Sequence, residues 1–75
     1  MTYYATLDVF HRSVAICIID DQGTVCLERT VPSEATDIVT RLRGFDHAIE
    51  VVGFEAGPLS QYLAHGLQFD GFEVV

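Results

Sequence analysis

Along residues 3–9 the chain alternates, with Leu7 and Val9 on one side of an extended segment and Thr6 and Asp8 on the other. That two-residue period predicts a half-buried strand. Phe10-His11-Arg12 is a short polar connection. Ser13 to Asp20 is a β-branched run (Val14, Ile16, Ile18, Ile19) that predicts a second strand. Asp20-Asp21-Gln22-Gly23 reads as a hairpin turn, with Gly23 free to take positive φ. Thr24 to Val31 returns as a third strand, in which Val25, Leu27 and Val31 alternate against Cys26, Glu28 and Thr30. Pro32-Ser33 starts a helix, with Ser33 as its N-cap. Glu34 and Asp37 sit in its first turns, Arg41 and Arg43 in its last, and Gly44 is its stop. Ala35, Ile38, Val39 and Leu42 make one apolar stripe. Ala48 to Glu55 does not alternate and predicts a fourth strand buried on both faces. Ala56-Gly57 turns the corner into a second helix with Pro58 in its first position. Leu59, Tyr62, Leu63 and Leu67 form the apolar face and Gly71 the end. Phe72-Glu73-Val74-Val75 starts a fifth strand.

The predicted order is β-β-β-α-β-α-β, an α/β chain. Three antiparallel strands followed by α-β-α-β describe a ribonuclease H-like mixed sheet, in which the first strand is central and pairs in parallel with the fourth. Residues 1–75 are expected to be one incomplete domain of this kind, truncated before its final helices. No third helix follows the fifth strand to cover the remaining face of the sheet.

Composition sharpens the picture. A chain of 75 residues buries only about 60% of its unfolded surface, so its stability is modest. A hydrophobic content of 49% excludes a disordered tail. No apolar run reaches the roughly 20 residues that span a bilayer, and the N-terminus lacks the basic region of a secretory signal, so the expected compartment is the cytoplasm. Net charge is −7, with four arginines and no lysine, which argues against strong nucleic-acid binding by these residues alone. Cys17 and Cys26 are expected to face one another across the hairpin as two reduced, half-buried thiols.

Two carboxylates stand where apolar strands run out. Asp8 closes Tyr3 to Leu7, and Glu55 closes Val51-Val52-Gly53-Phe54. A lone buried carboxylate must be paired, metal-bound or neutralised. Two at the tips of adjacent parallel strands point to one crevice and one oxygen-ligated divalent ion, Mg²⁺ or Mn²⁺, held weakly with waters completing the shell. The plainer alternative is that each acid accepts backbone N–H bonds at a turn. His11, Arg12 and Ser13 lie near Asp8 and read as solvated or strand-starting residues. His47 and His65 read as surface residues. Ser60 lacks a neighbouring base and reads as capping or surface. The eight Tyr and Phe residues are spread along the chain as core or interface and form no base-stacking platform.

Tyr4-Ala5-Thr6-Leu7-Asp8-Val9 and Gly53-Phe54-Glu55-Ala56-Gly57-Pro58-Leu59-Ser60-Gln61 resemble the N-terminal catalytic domain of DEDD-type (RuvC-like) insertion-sequence transposases. The resemblance covers nearly all 75 residues and includes the strand order. It matches Asp8 to the first catalytic acid of that family and Glu55 to the second. It also implies DNA transposition and recombination by metal-dependent phosphoryl transfer, with DNA and a guide RNA as partners of the full-length parent. The remaining two acids of the family fall beyond Val75. Asp70 and Glu73 do not substitute for them, so the isolated chain is expected to be inactive.

Two other classes compete. An actin-like or sugar-kinase ATPase fragment shares the opening strand, Asp and hairpin, but Val9-Phe10-His11-Arg12 stands where phosphate-binding glycine and threonine belong. A non-enzymatic self-associating module is favoured by an uncovered sheet face and predicts a homodimer.

Overall fold

The computed structural model describes residues 1–54 and 60–74, and at Ser60 and Gln61 the backbone alone. Three strands open the chain: β1 (Tyr3–Val9), β2 (Ser13–Asp20) and β3 (Val25–Pro32). Helix α1 (Ala35–Arg43), strand β4 (Ile49–Phe54) and helix α2 (Ser60–Phe69) follow. The sheet order is β3-β2-β1-β4. β1 pairs antiparallel with β2, β2 antiparallel with β3, and β1 parallel with β4. The chain is a small α/β unit with a mixed four-stranded sheet, and the expected parallel pairing of first and fourth strands is present.

Alternation decides which face is inside. Ala5 and Leu7 of β1, Val14, Ile16 and Ile18 of β2 and Val52 of β4 are buried with Ile38, Val39 and Leu42 of α1 and Leu63 and Leu67 of α2 in one core. Both helices therefore cover the same side of the sheet. Thr6, Asp8, Glu28 and Thr30 alternate with core-facing positions and are exposed on the other side. Along β4 only Val52 is fully buried and Glu50 is exposed, so the expected burial on both faces is not observed. One face of that strand has no described helix against it.

Several boundaries differ for local reasons. The turn after Asp20 forms with Gly23 at φ +83°, and Asp20 Oδ1 accepts the N–H groups of Gln22 and Thr24, both at 2.9 Å. The β2–β3 ladder then shifts register between Ile18 and Ile19, which sets Cys17 opposite Glu28. The expected Cys17–Cys26 pairing is thus replaced, because the bulge and a longer turn displace the returning strand. Both thiols are free, Cys17 half-buried and Cys26 exposed.

Ser33 does not cap α1. The N-cap is Glu34, with no side-chain cap bond, and Ser33 Oγ donates instead to the Phe10 carbonyl at 3.3 Å. Gly44 ends α1 in ordinary helical backbone at φ −76°. Gly71 ends α2 differently, at φ +94°, with Gly71 N–H donating to Gln68 O and Phe72 N–H to Leu67 O, both at 3.0 Å. That bond pair is a Schellman closure, which needs left-handed backbone at its glycine. Among the described residues the expected fifth strand is one parallel bridge between Val74 and Val52, with Val52 N–H donating to Glu73 O at 2.8 Å; Val75 lies outside them.

Candidate metal centre

β1 and β4 run side by side in the same direction, and the last rung between them joins Leu7 to Phe54. Asp8 is the next residue of β1. It pairs with Ala15 of β2 and, alternating with buried Leu7, stands exposed on the uncovered side of the sheet. The expectation of a buried carboxylate is corrected here. No desolvation penalty obliges Asp8 to find a counter-ion, because its side chain already faces solvent. Glu55, the second acid, lies outside the described residues.

Asp8 lines an open hollow of about 680 Å³ whose walls include Thr6, Ala15, Cys17, Glu28, Thr30 and the basic residue Arg29. The sheet registers explain the company. Thr6, Cys17 and Glu28 form one row across β1, β2 and β3, and Asp8, Ala15 and Thr30 form the next. The middle positions of the two rows, Ala15 and Cys17, carry small side chains. Glu28 belongs to this surface and was missed as a neighbour of Asp8. Its assigned face on β3 was legible, but the register that carries it across from Thr6 depends on the bulge.

The histidines are not brought together. His11 is exposed on the connection after β1, where Phe10 N–H donates to Ser13 O at 2.8 Å. His47 lies beside the start of β1, its ring stacked on Tyr3 at 4.6 Å between centroids and 12° between planes. Phe45 meets Tyr3 edge-on at 5.3 Å. His65 is exposed on α2. Among the described residues no group of three or more His, Cys, Asp or Glu converges. Two exposed carboxylates, Asp8 and Glu28, in an open hollow can hold a hydrated divalent ion only weakly, since such ions need several oxygen ligands for tight binding.

Asp70 and Glu73 are both exposed, near the end of α2. There Arg43 Nη2 donates to the Asp70 carbonyl at 2.8 Å, and its guanidinium lies 5.8 Å from the centre of the Phe72 ring. This arginine closes the C-terminal end of α2 and belongs to packing between the helices.

No described helix is long and apolar enough to cross a membrane. No protein-family model matches the chain, and a search of curated proteins finds no match.

Proposed function

We propose that these residues form a ribonuclease H-like domain of a DEDD-type, RuvC-like insertion-sequence transposase. Asp8 and Glu55 would supply two acids of a metal-dependent phosphoryl-transfer site. The observation that supports this reading is the β1–β4 pairing: its last rung, Leu7 to Phe54, joins the residues that immediately precede the two acids in the chain. The sheet order β3-β2-β1-β4 with a parallel β1–β4 pair is the order that the resemblance requires.

In the complete protein the substrate is DNA, with a guide RNA as a further partner, and the setting is the cytoplasm. Mg²⁺ or Mn²⁺ bound there would polarise a phosphoryl oxygen and activate the attacking oxygen. By themselves Asp8 and Glu55 would hold one ion weakly. Two-metal chemistry places ions about 3.5–4 Å apart and needs more carboxylates to offset their charge. On this reading, Asp8 and Glu55 without further carboxylates would not cleave DNA. Paramagnetic Mn²⁺ tests the reading: amide broadening confined to the ends of β1 and β4 supports it, and broadening spread over all exposed acids removes its basis.

A second reading, a non-enzymatic self-associating module, is favoured by one observation. Both described helices lie on the same side of the sheet, leaving Thr6, Asp8, Glu28 and Thr30 exposed on the other. The two readings are compatible in a domain that dimerises.

A further inference from the structure

We infer that residues 72–74 are a detachable strap over the outer edge of β4, and that Arg43 is the latch that holds it closed.

The two edges of β4 are held unequally. Toward β1 the strand is paired in parallel from Ile49 to Phe54. The backbone groups of a strand point alternately to its two neighbours, and Val52 turns its N–H to the other edge. Among the described residues that edge receives one backbone bond, Val52 N–H to Glu73 O at 2.8 Å, and one bridge, Val52 to Val74. An uncovered strand edge is a template for pairing with other strands, so residues 72–74 guard β4 while they stay in place.

The strap meets the body of the domain at a glycine. Leu63 and Leu67 fix the inner side of α2 in the core, whereas Tyr62, expected on that side, is 71% exposed. Gly71 then turns the chain at φ +94°, with nothing within 4 Å of where a Cβ would stand. Arg43 spans this hinge. It ends α1 next to buried Leu42, so its backbone is anchored to the core. Its guanidinium donates to Asp70 O at 2.8 Å on one side of Gly71 and lies 5.8 Å from the centre of the Phe72 ring on the other. Phe72 and Val74 are half-buried against the core, and Glu73 between them is exposed. A segment tied by so few contacts opens at a lower free energy than the β1–β4 ladder beside it, and Arg43 sets how often it does.

Hydrogen exchange of the whole chain, read amide by amide at a series of low urea concentrations, tests this. The Val52 amide is expected to exchange through an opening insensitive to urea, at least about tenfold faster than the Ala5 and Leu7 amides of central β1, which follow global unfolding. Arg43→Ala is expected to speed Val52 by about a further tenfold relative to Ala5 and Leu7, the loss of one charge-assisted bond. Arg43→Lys, which keeps the charge without the planar fork, is expected to fall between the two. Val52 sharing the rate and urea dependence of Ala5 and Leu7 would overturn the strap, since residues 72–74 would then leave only when the domain unfolds. Both Arg43 variants leaving Val52 unchanged, or speeding all three amides by the same factor, would overturn the latch.

Discussion

A Cβ added to Gly66 would lie 2.6 Å from the Cβ of Ala35, so α1 and α2 touch at a point where neither has room for a larger side chain. Gly66 is thus required by proximity and not by backbone conformation. Its cost as a mid-helix glycine, about 1 kcal/mol relative to alanine, is offset by the close approach that lets Leu63 and Leu67 reach the core.

Gly66→Ala is therefore expected to destabilise the domain by about 1–3 kcal/mol, despite its better helix propensity. Ala35→Gly in the same chain should recover part of the loss. Urea denaturation of the single and double variants measures both. A single variant as stable as the parent would mean that the helices separate without cost.

Gly71 and Gly44 both end helices but predict different sensitivities. Gly71→Ala forces a side chain into the left-handed backbone of the Schellman closure, at a cost of about 1–2 kcal/mol. Gly44 lies at φ −76°, which alanine adopts, and an added Cβ would meet only the Thr40 carbonyl at a close 3.3 Å, so Gly44→Ala should cost less than Gly71→Ala, no more than about 1 kcal/mol. Thermal melts of the pair give the comparison.

Much of the fold was legible because alternation and helical stripes are local signals. Ala5 and Leu7 against Thr6 and Asp8, and Ile38, Val39 and Leu42 along α1, sit where the pattern predicts. What was not legible depends on contacts distant in sequence. The shift that moves Cys17 opposite Glu28 arises in the ladder, and the Ala35–Gly66 contact joins residues on different helices. Ser33 has the right chemistry for a cap, yet Phe10 offers it an acceptor from the far end of the first hairpin. The place of Asp8 near the end of β1, one residue before Val9, was legible. Its exposure was not, because a run of apolar neighbours does not reveal that only one face of the sheet is covered by the described helices.

The turn after β2 depends on one side chain. Asp20→Ala removes the acceptor for Gln22 and Thr24 N–H and should cost about 0.5–2 kcal/mol, as loss of a comparable helix cap does. Asp20→Asn should retain most of the stability, since its carbonyl oxygen can accept the same bonds. Chemical denaturation of the two variants separates the turn contribution from that of charge.

Truncating Leu67, which is fully buried, should cost about 2–5 kcal/mol. Phe69→Ser, two residues on but almost fully exposed, should change monomer stability by no more than about 0.5 kcal/mol. Measured at concentrations where the chain is monomeric, the pair shows which side of α2 belongs to the core.

The most direct test of a metal half-site is titration of Mg²⁺ and Mn²⁺ into the chain, following amide resonances beside Asp8 and Glu55, with Asp8→Asn as the control. The expected result is saturable, weak binding that perturbs both strand ends and disappears in the variant. Resonances unmoved at millimolar metal, or moved equally in Asp8→Asn, would mean that these carboxylates form no metal site.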